Sequence, residues 1–246
     1  MHVTKLTISL HRAPSVDAYQ VLHDSLSAIF SLRSLTMIIS GWGQRTTSEA
    51  KIVLPNLEEL AIETLKGHII DDTEGFLMAC GAFDCVSLKT FQAPICTCYR
   101  EVGWGRPSEP NSWSNMESLA NQVHFSYPRI SELSLLSQNY TVGRFGWNEK
   151  TNDRGLSTFL WSLARPCTEL EGEWLFPAMT HLTITLDYSH VSQALETLII
   201  LCRTRRNNGK TLPLRIIELH GVSGDAGDQD VIDQLSFLVH DVIVRY

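Results

Sequence analysis

The feature that most constrains this chain is a nine-residue pattern: apolar, proline, any, apolar, two of any, apolar, any, apolar. It occurs at Leu54-Pro55-Asn56-Leu57-Glu58-Glu59-Leu60-Ala61-Ile62, at Tyr127-Pro128-Arg129-Ile130-Ser131-Glu132-Leu133-Ser134-Leu135 and at Phe176-Pro177-Ala178-Met179-Thr180-His181-Leu182-Thr183-Ile184. Leu212-Pro213-Leu214 opens a fourth copy, one residue shorter. Chance supplies on the order of 0.1 such matches in a chain of this length and composition, so the pattern is a repeat. Proline has a fixed φ and no N–H, which suits a tight turn just before a strand. The apolar-x-apolar triplet that follows alternates with period two, burying one strand face and leaving the other to solvent.

The looser core of the pattern, without proline, adds further strands. It predicts eight in all, on Leu6/Ile8, Leu35/Met37, Leu60/Ile62, Phe91/Ala93, Leu133/Leu135, Leu182/Ile184, Ile217/Leu219 and Val242/Val244. Helical spacing of apolar residues predicts helices over 15–30, 72–83, 156–164, 191–205 and 228–238. Strand, turn, helix, turn, repeated, gives an α/β chain. The expectation is a leucine-rich-repeat-like solenoid with a curved parallel sheet and helices on the opposite side. Residues 1–246 read as one domain, with loop insertions near 97–113 and 138–155 where Gly, Pro, Ser and polar residues collect.

Charge and composition exclude several classes of function. Twenty basic against 27 acidic residues give a formal charge of −7, so no basic stripe argues for nucleic acid. The most apolar stretch, Leu195 to Cys202, is far short of the roughly 20 residues that span a bilayer, so no membrane partner is expected. The opening Met-His-Val-Thr-Lys carries no export signal, which implies a cytoplasmic or nuclear location and reduced thiols. Cys80, Cys85, Cys96 and Cys98 are spaced wrongly for two close zinc-binding pairs, and no metal is expected. No phosphate-binding Gly-rich loop, Gly-x-Ser-x-Gly or His-Glu-x-x-His is present, so neither a cofactor nor a catalytic residue is assigned. The alternative is a compact α/β enzyme with no recognisable motif, for which His68 beside Asp71-Asp72 is the one drawable acid–base pair.

Alternation along the strands points one set of polar residues outward. Among them Glu59, Glu132, His181 and Glu218 make an acidic face with a central histidine, suited to a protein partner with a basic segment. Trp104 and Trp147, in the polar insertions, are candidate contact residues on the flanks of that face.

Leu54-Pro55-Asn56-Leu57-Glu58-Glu59-Leu60, Phe176 to Ile184, and Phe76-Leu77-Met78-Ala79-Cys80 followed by Ser87-Leu88-Lys89-Thr90-Phe91 resemble the divergent leucine-rich repeats of fungal F-box proteins. The resemblance implies a non-enzymatic protein–protein interaction module, the substrate-recognition part of an F-box-type ubiquitin ligase component. It departs from the family at the start, since the chain opens on a repeat strand at Val3. Contact with the ligase adaptor is therefore expected only if an upstream F-box exists.

Overall fold

The structure, a computed structural model, describes residues 2–10, 16–39, 51–64, 79–96, 111–138, 154–186, 192–222 and 226–245. Each of the eight expected triplets lies in a strand, and all eight strands belong to one sheet. They are β1 (Lys5–Leu10), β2 (Ser34–Ile39), β4 (Glu59–Thr64), β6 (Thr90–Cys96), β7 (Glu132–Gln138), β10 (His181–Thr185), β11 (Ile216–His220) and β12 (Asp241–Arg245). Every neighbouring pair is parallel, and the spatial order is the chain order, so β1 and β12 are the two edges. Between them lie two minor pairs: β3 (Ile52–Val53) parallel to β5 (Phe83–Asp84), and β8 (Pro166–Cys167) antiparallel to β9 (Glu173–Trp174).

The sheet register follows directly from the repeat. Leu6, Leu35, Leu60, Phe91, Leu133, Leu182, Ile217 and Val242 are direct partners across the sheet. Those on the six inner strands are buried, whereas Leu6 and Val242 on the edges are only partly so. Each inner one stabilises the fold by about 1.5–3 kcal/mol relative to exposure. A one-residue slip would turn this whole row to solvent, so the register is strongly specified.

Entry to each strand is fixed by a recurring main-chain contact. The carbonyl preceding a strand accepts two N–H groups from the next repeat, those of the residue before its strand and of the strand's first residue. Thr4, Arg33, Glu58, Lys89, Ser131, Thr180 and Arg215 all do this, at 2.8–3.2 Å. The prolines sit one step earlier, at the second position of turns closed by Leu57 N–H on Leu54 O, Ile130 N–H on Tyr127 O and Met179 N–H on Phe176 O. That position requires the φ that proline already has. Repeats lacking the proline make the same turn, with Leu32 N–H on Ile29 O and Leu88 N–H on Cys85 O. Phe30 and Val86 then occupy the proline's place and are exposed.

Among the described residues five helices are given in full: α1 (Val16–Ser27), α2 (Asn111–Ser126), α3 (Arg154–Leu163), α4 (Ser192–Asn207) and α5 (Ala226–Leu238). From α2 onward each packs against the next. Four match expected helices, and the C-terminal end of the one expected over 72–83 is helical at residues 79–81. Helix α2 was not expected, and its first residues fall inside the stretch read as a loop insertion. Met116, Leu119, Ala120 and Val123 are its buried stripe, at i, i+3, i+4 and i+7. Residues 97–110 and 139–153 lie outside the described residues. Tyr127, which follows α2, is fully buried and donates its hydroxyl to Cys80 O at 2.5 Å, tying this repeat to the preceding one. No described helix is long and apolar enough to cross a membrane.

Candidate functional site

The sheet register gathers three of the expected face residues into one row. It runs Lys5, Ser34, Glu59, Thr90, Glu132, His181, Ile216, Asp241. Glu59 and Glu132 are exposed, and Thr90 donates its hydroxyl to Glu132 at 3.1 Å. Glu218 is one row further along, partnered by Thr183 and Ile243. Trp104 and Trp147 lie outside the described residues, as do His68, Asp71 and Asp72.

Glu218 is the best-surrounded of these acids. His181 Nε2 stands 3.5 Å from one carboxylate oxygen, while His220 Nε2 at 3.3 Å and Arg245 at 3.9 Å face the other. His220 and Arg245 belong to the third outward row with Thr185, and sequence reading passed over both. Glu218 is thus compensated within the fold, and the remaining acids of this face among the described residues are Glu59, Glu63, Glu132 and Asp241. Among the described residues no group of His, Cys, Asp and Glu is gathered closely enough to hold a metal ion.

A cavity of about 480 Å³ lies elsewhere, lined by His124, Pro128, Glu171, Gly172, Glu173, Trp174, Pro177 and Lys210. Its volume falls within the range of small-molecule sites, about 300–1,000 Å³. Four pieces of chain converge there: the end of α2, the turn between β8 and β9, the proline-led turn before β10, and the loop after α4. The β8–β9 turn is closed by Gly172 N–H on Cys167 O and Glu173 N–H on Leu170 O, both at 2.9 Å. Its Glu171 and Gly172 take left-handed backbone, at φ of 53° and 84°. Lys210 is set by Asn208, whose side-chain oxygen accepts the N–H groups of Lys210 and Thr211 at 2.7 and 2.9 Å.

His124 is the most constrained group in this cavity. It is buried, and its Nδ1 accepts the main-chain N–H of Phe176 at 3.0 Å. The neutral ring therefore carries its proton on Nε2 and is a donor there. Burial holds its pKa below the ordinary imidazole value, with the nearby Glu173 charge pulling the other way. The Phe176 ring packs edge-on against it, centroids 5.2 Å apart.

Phe176 itself has φ of 45°, a conformation that costs a bulky L residue on the order of 1–3 kcal/mol. Arg205 offsets that cost. It is wholly buried and donates to Phe176 O at 2.8 Å, Met179 O at 3.2 Å, and Leu175 O and Leu212 O at 3.3 Å each. Burial lowers its pKa to about 10, which leaves it cationic at neutral pH. The basic cluster Arg203, Arg205, Arg206 and Lys210 reads in sequence as a helix end favoured by the macrodipole, and Arg205 and Arg206 do lie in the last turn of α4. Arg205 is in addition turned inward against the proline-led turn, which the sequence did not indicate.

Sequence reasoning missed His124, Glu171, Glu173, Trp174 and Lys210 as a group. They come from three separated segments with no shared spacing, and α2, which carries the histidine, was not foreseen.

No family model matches the chain, and no curated protein matches it. Among solved structures, one that matches is the crystal structure of a sugar phosphate isomerase/epimerase from Parabacteroides distasonis ATCC 8503. The match has 10% identity and a TM-score of 0.31 over 98% of this chain and 86% of that one. A likeness that weak assigns no activity. The comparisons nonetheless correct the sequence reading, because neither a leucine-rich-repeat family nor an F-box family is among what they find. The short motifs behind that resemblance reflect what any parallel strand after a proline turn requires. The assignments as a fungal, cytoplasmic ubiquitin-ligase recognition module, as a protein-interaction module and as a non-enzyme are therefore withdrawn. What stands is an α/β chain with a large parallel sheet and helices, and among the described residues a polar cavity built from four segments.

Proposed function

We propose that the cavity beside His124 binds a small polyhydroxylated molecule and supports proton transfer on it, as in a compact α/β enzyme. The observation that carries this reading is the neutral His124 ring, locked through Nδ1 so that its Nε2–H is left as a donor. Glu171 and Glu173 supply carboxylates that accept hydroxyl protons, Lys210 supplies a cation, and Trp174 an indole for the carbon skeleton. A carboxylate takes the proton while a neutral imidazole and an ammonium stabilise the charge that develops. The test is a titration of ¹⁵N-labelled protein with sugars, polyols and their phosphates, followed by NMR. Shifts should cluster on His124, Trp174 and Lys210 and vanish in His124→Ala and Glu173→Gln. Binding elsewhere, or no binding across the panel, overturns the proposal.

For the architecture we infer a solenoid-type, curved sheet rather than a closed barrel. The sequential strand order, with β1 and β12 unjoined to each other at its two ends among the described residues, and an outward row that is only partly buried support this. A barrel interior is filled by side chains from every strand, which would bury both faces. Small-angle scattering should give an arc-shaped envelope; a spherical one rejects it.

A further inference from the structure

Arg205 is unusual among the polar groups of this fold. A guanidinium without exposed surface is ordinarily paired with a carboxylate. Here the acceptors are four main-chain carbonyls instead. Those carbonyls come from two stretches of chain. Leu175, Phe176 and Met179 flank Pro177 and follow Trp174, both of which line the cavity. Leu212 stands two residues after Lys210, which lines it as well. The Phe176 carbonyl accepts from Arg205 while the Phe176 N–H donates to His124 Nδ1, so one residue links the guanidinium to the imidazole.

We propose that Arg205 is the positioning residue of the cavity, a cross-brace that fixes the 174–179 and 210–212 segments relative to each other and sets the His124 ring through Phe176. The planar fork is what the role needs, since its donors diverge toward carbonyls that a single ammonium cannot reach together. Arg205 touches no ligand on this view and acts through Phe176. The left-handed Phe176 backbone fits the same account: without the guanidinium the turn relaxes to ordinary φ and its N–H leaves the histidine. The consequence for ligand affinity rests on the cavity reading above; the consequence for His124 does not.

The experiment uses the full chain and the substitutions Arg205→Lys and Arg205→Met, each studied well below its own melting temperature. Long-range ¹H–¹⁵N spectra of the His124 ring report its tautomer and its titration. In wild type the Nε2–H tautomer should dominate. In both variants the second tautomer should appear and the titration midpoint should move up toward that of free histidine. Any ligand found in the titration above should bind at least about 10-fold more weakly to both, and about 10-fold is about 1.4 kcal/mol. Variants that melt lower yet keep the wild-type tautomer and midpoint overturn the proposal, since a merely structural arginine would behave so. If neither variant folds, hydrogen exchange on the wild type decides. The Phe176 amide should exchange as slowly as that of Leu182 in the sheet centre, and fast local exchange at Phe176 overturns the brace. A changed His124 in the variants together with no ligand for wild type would sink the cavity reading and leave the brace standing.

Discussion

Gly221→Ala probes the fold where β10, β11 and β12 end together. Gly221 has φ of +75°, and a β-carbon built on it would stand 2.3 Å from Leu186 O. Real contacts of that kind stay beyond 3.0 Å, so main chain must retreat by about 0.7 Å. The atoms in the way cannot swing aside. Leu186 N–H donates to His220 O at 2.7 Å, and Gly221 N–H donates to Arg245 O at 2.8 Å. Left-handed backbone costs an L residue about 1–2 kcal/mol. Overpacking against fixed main chain adds about 1–3 kcal/mol. Alanine's smaller unfolded-state entropy returns about 0.4–1 kcal/mol. The expected loss is therefore about 2–4 kcal/mol. Gly209→Ala is the control, with φ of +67° and nothing within 4 Å of the added carbon, for which about 1 kcal/mol is expected. Urea denaturation followed by circular dichroism gives both values. Equal losses would refute the reasoning, because the close approach to Leu186 is the difference between them.

Three further outcomes are expected. Leu182→Ala, at a fully buried position, should cost about 2–5 kcal/mol, whereas its neighbour Thr183→Ala on the outward row should stay within about 0.5 kcal/mol; equal denaturation midpoints would reject the register. Tyr127→Phe should cost about 1–3 kcal/mol by leaving the buried Cys80 carbonyl without its donor, and a neutral result would mean that water or a shift replaces it. Because the folded-state pKa of His124 is depressed, the unfolded chain binds the extra proton first as pH falls below about 6.5, and stability should drop there. His124→Gln should flatten that part of the stability–pH curve measured by thermal melts, and an unchanged slope would assign the dependence to other groups.

The strands were legible because the signal for them is local. A proline turn and a period-two triplet carry their meaning within nine residues, and Leu60, Leu133 and Leu182 lie where that pattern places them. Helix α2 was less so: Met116, Leu119, Ala120 and Val123 are correctly spaced, but Asn, Ser and Gln between them dilute the contrast, and the Pro- and Gly-rich run before Asn111 suggested a loop. The cavity could not be read from the sequence at all. His124 acquires its role from Phe176, 52 positions away, and Phe176 from Arg205, another 29 along. Neither contact follows from periodicity. The family resemblance misled for a related reason: a motif dictated by the physics of strand entry recurs wherever such strands occur, whatever the ancestry.

The bifurcated carbonyl contacts at strand entry have a consequence for how such a chain can change length. Corresponding positions recur after as few as 25 residues, Ser34 to Glu59 or Ile216 to Asp241, and after as many as 49, Glu132 to His181. The strand pairing is the same in each case, since the clamp is made by residues immediately before the strand and ignores what precedes them. Doubling a connection costs only about 0.6 kcal/mol in closure entropy. Single repeats can therefore gain or lose segments on the return path one at a time, each such event remaining silent to the seven junctions that hold the sheet in phase.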